Sequence, residues 1–257
     1  MNDIRSEEGM FLHEYKDAHL SNCIMVVGFP SVGLVSPIAA NYIVRTLKLE
    51  RIAAIVSKDF PPFTILHGGV PSPPVRIYAG TRACPQTEGE HCDQIVVMLA
   101  EFMPRPDLIQ PLANIILDWA KHKGVAAIVT LEGINTGELE LTEILAVGTS
   151  ENAREMMKKY DIREMKEGMV SGLSGLLLSE GDRIGTDVIC LLGPAKSDRP
   201  DARGAANLLE QIGRMLPELK LDSGPLLKEA ETIEQGMTQA LESMKQPKKQ
   251  EPSFLYG

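Results

Sequence analysis

The feature that most restricts the fold is a series of short apolar runs spaced along the chain. Each run has the length of one β-strand. Because such a run has no polar face, it predicts a strand that is covered on both sides, as in the parallel sheet of an α/β protein. A mixed run at 144–150 predicts a further strand. The apolar runs occupy residues 23–29, 51–57, 93–102, 125–133 and 187–193.

Segments with helical periodicity alternate with these runs. Their apolar residues lie three and four positions apart, and Ser150 is placed as the N-cap of one of them. Strands that alternate with helices favour parallel pairing with helical crossovers. We therefore predict a three-layer α/β/α sandwich around a mostly parallel sheet. The helical segments are 33–49, 107–124, 151–160, 172–181, 201–216 and 226–245.

Composition divides the chain into four segments. Residues 1–22 are charged and weakly patterned and are interpreted as an N-terminal extension, and residues 23–222 form the α/β domain. Residues 223–245 contain an amphipathic C-terminal helix that is suited to an oligomer contact or a stalk. Residues 246–257 have no periodicity and are interpreted as a flexible tail. Within the domain, the proline-rich stretch 58–80 predicts a loop with short extended pieces.

The charge balance restricts the partners. The 257 residues carry a net charge of -9, and the pI is near 5.2. This balance disfavours nucleic acid, whose binding needs a basic patch, and it disfavours an anionic membrane surface. The first residues do not resemble a signal peptide, and no apolar run reaches the ~18 residues of a membrane span. We therefore expect a cytoplasmic protein that binds neither nucleic acid nor membrane.

The four cysteines fall into two pairs. Cys23 and Cys190 lie in apolar runs and are predicted to be small buried hydrophobes. Cys84 and Cys92 flank a charged loop that is compatible with a disulfide or, with His91 and Glu88, part of a metal site. The spacing matches no common zinc pattern, and a disulfide needs an oxidising or hyperthermophilic setting. We predict no metal and no cofactor.

One loop is a candidate ligand site. Gly28, Ser31 and Gly33 lie between the first apolar run and the helix that follows, where α/β proteins often bind ligands. The loop is compatible with an anion site at the helix N-terminus, and hence with a nucleoside- or phosphate-binding enzyme. Its spacing matches no phosphate-binding motif, so a tight turn with close backbone packing is the favoured interpretation.

Two further groups are candidates for catalytic residues. Glu132 opens an acidic stretch with Glu138, Glu140 and Glu143, and paired carboxylates can serve as acid and base. No basic residue nearby supplies a complementary role, so an acidic surface loop is favoured. Ser174 lies between glycines but not in a nucleophile motif. We predict no catalytic residues.

The C-terminus is the sharpest signal for function. Phe254, Leu255, Tyr256 and Gly257 end the chain after a polar tether of residues 246–253. An apolar tip on such a tether either folds back on its own domain or binds another protein. The tether spans at most ~28 Å and averages nearer ~16 Å as a flexible coil, so the tip can reach outward.

Three segments resemble the PAC2 family of proteasome assembly chaperones, which has archaeal members. They are residues 25–44, 172–178 and 200–212, in that order. The resemblance implies a purine nucleoside phosphorylase-like sandwich, a non-enzymatic role and a homo- or hetero-oligomer. It also implies that the protein binds α-subunits of the proteasome core particle and promotes their assembly.

The tip is similar to the hydrophobic–tyrosine–any-residue (HbYX) motif of proteins that dock on the core particle. This similarity implies that the carboxylate of Gly257 pairs with a lysine in a pocket between neighbouring α-subunits. Tyr256 fills part of that pocket and Leu255 packs on its wall.

Overall fold

The centre of the structure is a ten-stranded sheet with helices on both faces. The computed structural model describes residues 3–7, 9–18, 20, 22–67, 69–83, 93–135 and 143–228. The strands are β1 Asp3–Glu7, β2 Met10–Glu14, β3 Cys23–Gly28, β4 Glu50–Ser57, β5 Ile65–His67, β6 Val70–Ser72, β7 Val75–Ala83, β8 Asp93–Ala100, β9 Val125–Asn135, β10 Leu145–Gly148, β11 Arg163–Glu164 and β12 Val188–Ala195.

Within the described ranges, five α-helices connect or follow these strands. Short 3-10 helices precede α1, at Val32–Leu34, and follow α5, at Pro217–Leu219. The helices are α1 Val35–Thr46, α2 Pro106–His122, α3 Glu151–Lys159, α4 Gly172–Ile184 and α5 Ala202–Met215.

The sheet is mixed, with a parallel centre. Its order is β1-β2-β4-β7-β8-β3-β9-β12-β10-β11, and β5 and β6 form a separate hairpin. The four central strands β8, β3, β9 and β12 pair in parallel. The pairs from β1 to β8 are antiparallel, and so is the pair of β12 with β10. The expectation of a mostly parallel sheet therefore holds for the centre, whereas the flanks are antiparallel except for the parallel pair β10–β11.

Helices cover both faces, which confirms the three-layer architecture. One core lies between the sheet and the helices α2 and α4, and includes Met25, Leu112 and Leu177. The other lies between the sheet and α1, α3 and α5, and includes Val26 and Leu208. Successive residues of β3 thus enter opposite cores, as the unbroken apolar run predicts.

Strands β1 and β2, which lie within the segment 1–22, are part of the main sheet. Strand β2 pairs with β4, and β1 pairs with β2. Trp119 of α2 donates a hydrogen bond to Glu14 at 2.7 Å, and Lys123 lies 3.1 Å from the same carboxylate. Met10 and Leu12 are buried beneath α2. The segment expected as an extension therefore contributes two strands.

Local signals fix several element ends. The hydroxyl of Ser150 accepts from the N–H of Ala153 at 2.9 Å, which confirms the predicted N-cap of α3. Helix α4 is longer than the apolar stretch 172–181 indicated and ends at Gly185, whose φ is 73°. Among the described residues no helix is long and apolar enough to span a bilayer. The helix predicted at 226–245 lies almost entirely outside the described residues.

Candidate functional site

The carboxyl ends of β8, β3, β9 and β12 meet at one edge of the sheet, which we call the carboxyl edge. This is the edge at which open α/β sheets bind ligands. The loop Gly28–Gly33 follows β3 there, and Glu132 lies near the end of β9. The structure thus brings two of the groups that were considered from the sequence to the same edge.

The side chain of Ser31 forms hydrogen bonds with other residues of the protein. Its hydroxyl lies 2.6 Å from that of Ser36 and accepts from the N–H of Gly133 at 3.2 Å. Ser36 is fully buried and donates to the carbonyl of Leu131 at 2.5 Å. These bonds tie the loop after β3 to the end of β9.

The glycines of this loop lie where backbones pack closely. A Cβ on Gly28 would lie 2.5 Å from the Cβ of Ala40, so α1 crosses β3 without room for a side chain. Gly33 has a φ of 65°, and its carbonyl accepts from the N–H of Asp201 at 2.7 Å. A Cβ there would lie 2.7 Å from the carbonyl oxygen of Lys196. This packing is what the tight-turn interpretation requires, and the ligand role of the loop stays a prediction.

Glu132 and Ser174 meet beneath the carboxyl edge, on the face covered by α4. The hydroxyl of Ser174, in the first turn of α4, donates to a carboxylate oxygen of Glu132 at 2.7 Å. Burial raises the pKa of Glu132 from its ordinary value of 4.5 to about 7, and the hydrogen bond from Ser174 offsets part of this rise. A carboxyl group with such a pKa can exchange protons near neutral pH.

The interpretation of residues 130–143 as an acidic surface loop was wrong for Glu132. This residue belongs to β9 and points with Ile128 and Thr130 toward the core under α4. Glu143 is exposed and pairs with Arg163, and residues 136–142 lie outside the described residues. Because side chains of a strand alternate between its two faces, a strand covered on both sides that reaches Glu132 places this residue on the same covered face as Ile128.

Cys190 lies beside this pair. It is opposite Thr130 in the register of β12 with β9, and it is fully buried. Burial raises the pKa of Cys190 to about 12, and the nearby carboxylate of Glu132 acts in the same direction. The thiol is therefore neutral near pH 7 and is not an activated nucleophile. Cys23 is likewise a buried free thiol, so both were correctly predicted to be buried.

Several apolar side chains are exposed on the hairpin β5–β6 and in the loops before β5 and after β8. Phe63, Leu66, Val70 and Met103 are 40%, 69%, 56% and 59% exposed. The ring of Phe63 lies 6.2 Å from that of Phe102, which follows β8. The register of the hairpin, which pairs Leu66 with Pro71 and His67 with Val70, places Leu66 and Val70 on opposite faces.

The residues predicted to contact a protein partner are not part of this geometry. Phe254, Leu255, Tyr256 and Gly257 lie outside the described residues, as do Cys84 and Cys92.

The PAC2 family model matches residues 25–241. This chain belongs to the PAC2 family. The family that was predicted from residues 25–44, 172–178 and 200–212 is thereby confirmed. The match includes the Glu132–Ser174 pair and the loop Gly28–Gly33.

Relatives cover nearly the whole chain. An uncharacterized protein of Methanocaldococcus jannaschii is 30% identical over 252 residues, which are 96% of this chain and 99% of the relative. The crystal structure of Pyrococcus furiosus PbaA, an archaeal homolog of proteasome-assembly chaperone, covers 93% of this chain and 94% of its own, with 32% identity and a TM-score of 0.80. P. furiosus PbaB, an archaeal proteasome activator, has 21% identity and a TM-score of 0.77, and covers 91% and 99%. The likeness to PbaB shows the fold alone.

Proposed function

We propose that this PAC2 protein is a proteasome-assembly chaperone that binds α-subunits of the core particle through its C-terminal tail and promotes their assembly. The observation that carries the proposal is the 32% identity to PbaA over 93% of the chain, with a TM-score of 0.80. The tail supplies the contact, since Leu255, Tyr256 and Gly257 fit the docking motif.

The chemistry of the tip explains how it would bind. The carboxylate of Gly257 pairs with a cation in the α-subunit pocket, the phenol of Tyr256 combines an apolar ring with a hydrogen-bonding hydroxyl, and Leu255 adds apolar contact. The net charge of -9 favours approach to a basic pocket.

A single tail of this kind binds weakly, because ordering the tether offsets much of the contact energy. A homo-oligomer carrying several tails raises the effective concentration and therefore the avidity. We therefore include homo-oligomerisation in the proposal. The oligomeric state is measured by light scattering of the purified full-length chain. A monomer at micromolar concentration would contradict the proposed homo-oligomer.

Two potential nucleophiles near the carboxyl edge are not activated, in keeping with a binding role. Cys190 is neutral and fully buried, and the hydroxyl of Ser31 is bonded to Ser36 and Gly133.

The experiment compares full-length protein with a variant that lacks the last three residues, in a pull-down of recombinant α-rings. We expect the truncation to weaken capture at least about tenfold, because it removes the carboxylate, the phenol and the apolar contact together. Tyr256→Phe should retain part of the binding that Tyr256→Ala loses. Equal capture by full-length and truncated protein would refute the docking mode.

Two further variants separate the role of the terminal carboxylate from that of the tether. One extra alanine after Gly257 moves the carboxylate and should weaken capture, whereas Pro252→Ala changes the tether alone and should not. Assembly itself is measured by the rate at which separate α- and β-subunits form core particles with and without the protein. An unchanged rate would refute the assembly role while leaving the docking result intact.

A further inference from the structure

A cleft lies at one lateral edge of the sheet, beyond the end of the short strand β11, and we call it the edge cleft. Strand β11 pairs with β10 only at Leu145 and Ala146, so Gly148 at the end of β10 lacks a neighbouring strand on that side among the described residues. The cleft lies between α3, on one face of the sheet, and α4, on the other. Gly148 is opposite Ile189 at the start of β12, which is the end of that strand furthest from the carboxyl edge.

The edge cleft combines apolar walls with a few charged side chains. Its volume is about 480 Å³, and it opens to solvent. Sites for small organic ligands have volumes of ~300–1,000 Å³ and the same mixture of apolar walls and few polar groups. The apolar side chains of the lining are Val147, Met165, Val170 and Leu178, and the charged ones are Arg154, Lys166 and Asp182.

Arg154 offers hydrogen-bond donors that no described residue uses. Its Nη1 donates to the carbonyl oxygens of Gly148 at 3.2 Å and Thr149 at 3.3 Å, and both of these residues line the cleft. These bonds hold the guanidinium against the floor of the cleft. Its Nε and Nη2 have no acceptor in the described part of the chain, yet neither nitrogen is buried away from solvent. A ligand in the cleft can therefore reach this cation.

The N–H of Gly148 is a second donor beside the guanidinium. Because the hydrogen bonds of an antiparallel strand alternate in direction, Thr149 bonds to β12 while Ala146 and Gly148 face away from it. Accordingly, the N–H of Thr149 donates to Val188 at 3.0 Å, and the carbonyl of Ala146 accepts from Met165 at 2.9 Å. The next outward position belongs to the N–H of Gly148, which has no backbone acceptor within the described ranges.

These donors favour a carboxylate as the ligand group. A guanidinium and a backbone N–H at one residue suit its two oxygens, and hydrogen bonds to an ionised acceptor are the strong ones. Two cations, Arg154 and Lys166, and one anion, Asp182, leave the lining with a single positive charge, in a protein whose net charge is -9. One negative charge on the ligand balances this lining, whereas a phosphate dianion exceeds it.

We propose that the edge cleft binds a small organic monocarboxylate with an apolar body. The carboxylate accepts from Arg154 and from the N–H of Gly148, and the apolar body packs against Met165 and Leu178. This site goes beyond the proposed chaperone function and does not depend on it, because the tail and the α-subunits play no part in the argument.

Four probes test the chemistry of the ligand on the full-length chain, in titrations followed by NMR. 4-Methylpentanoate has the charge and the apolar body, 4-methylpentanamide lacks the charge, acetate lacks the body, and inorganic phosphate carries more charge. We expect one 4-methylpentanoate to bind per chain, and the amide and acetate to bind about tenfold or more weakly. Equal binding of the amide, or tighter binding of phosphate, would overturn the proposal.

A fifth probe separates a small acid from the end of a protein chain. The tripeptide acetyl-Ala-Ala-Leu has a carboxylate and an apolar side chain of the same size as 4-methylpentanoate. We expect it to bind no more tightly than the small acid. Tighter binding of the tripeptide would overturn the assignment to a small molecule and would identify the cleft as a contact for peptide termini.

Arg154→Gln tests the cation. We expect this substitution to weaken 4-methylpentanoate about tenfold and to change 4-methylpentanamide less than about twofold. Arg45→Gln is the matched control, because Arg45 is exposed on α1, outside the lining of the cleft, and its loss removes the same charge. An equal effect of the two substitutions on the carboxylate would overturn the role of Arg154.

Asp182→Asn gives a result that damage to the fold cannot imitate. Asp182 is exposed and lines the cleft, so removing its negative charge should tighten 4-methylpentanoate about twofold to threefold. Asp198→Asn is the control, because Asp198 is exposed outside the cleft and its loss makes the same change in net charge. Binding that is unchanged or weaker in Asp182→Asn would overturn the proposal.

A measurement on the unsubstituted protein locates the site. In protein labelled with ¹⁵N-glycine, 4-methylpentanoate should shift the amide signal of Gly148, whose N–H gains a charged acceptor. The signal of Gly124, which is exposed in the turn between α2 and β9, is the control and should not move. Saturable binding that leaves the signal of Gly148 in place would overturn the proposal.

Discussion

Replacing Glu132 with glutamine should remove a pH dependence from the stability of the protein. Glutamine keeps an oxygen that accepts from Ser174, so the hydrogen bond at 2.7 Å can persist without a titrating group. In the parent chain, burial raises the pKa of Glu132 from 4.5 to about 7. The native state therefore holds this proton more tightly than the unfolded state.

The sign and the size of the change in stability with pH follow from the difference between the native and unfolded pKa values of Glu132. Because the native state binds the extra proton, the stabilising contribution of Glu132 is fully present below pH 4.5 and is lost as the pH rises through about 7. The difference between these two pKa values corresponds to about 3 kcal/mol, at 1.36 kcal/mol per tenfold change in proton affinity. The free energy of unfolding of Glu132→Gln, relative to the parent, should rise by about this amount between pH 4.5 and pH 8.

Urea unfolding followed by circular dichroism at intervals of pH measures this relative free energy. Glu164→Gln is the matched control, because Glu164 is exposed and its substitution should give a difference within about 0.5 kcal/mol across the range. A difference between parent and Glu132→Gln that stays flat over pH 4.5 to 8 would refute the reasoning. It would mean that Ser174 and the amino end of α4 hold the buried carboxylate charged.

Two other predictions concern packing and reactivity. Gly133→Ala should destabilise the protein by about 2 kcal/mol or more, because the added Cβ would lie 2.2 Å from the carbonyl oxygen of Val32. Gly213→Ala in α5 is the control for this substitution and should stabilise the protein by about 0.5 kcal/mol, because the added Cβ would lie near only one atom, at 3.9 Å. Thermal unfolding of both variants measures the two effects, and equal effects would contradict the packing argument. Cys23 and Cys190 should resist alkylation at pH 8 in the native state, because burial raises the pKa of each thiol to about 12. Mass spectrometry after brief iodoacetamide treatment checks this, and rapid native-state labelling of either would contradict it.

The buried strands and their helices could be predicted because each is a local pattern. The order of the strands could not be predicted in this way. The sequence of β3, α1 and β4 favours adjacent parallel strands, yet β7 and β8 lie between them in the sheet. The antiparallel pair β7–β8 and the pairing of β4 with β7 depend on long-range contacts that no local pattern encodes.

Strand β2 shows a signal that was present and not used. Met10 and Leu12 alternate with Phe11 and His13, and the first pair is buried while Phe11 is 42% exposed. That alternation is typical of a half-buried strand. Because the surrounding residues are highly charged, the alternation was not interpreted as a strand.

The candidate site was predictable only in parts. The close backbone packing at Gly28 and Gly33 follows from residue type and position, as expected from the sequence. Glu132 and Ser174 are 42 positions apart and meet only because α4 packs over β9. Burial and hydrogen bonding of this kind arise from tertiary structure, so the pKa of Glu132 could not be inferred from the acidic stretch around it.

The position of β12 has a consequence for the synthesis of the chain. This strand is the last of the described strands to leave the ribosome, yet it lies between β9 and β10. Until it emerges, β9 has an open edge, and β10 with β11 cannot join the main sheet. Nascent chains that pause before Val188 therefore expose two unpaired strand edges at once, which is the condition that promotes aggregation of partly made α/β proteins.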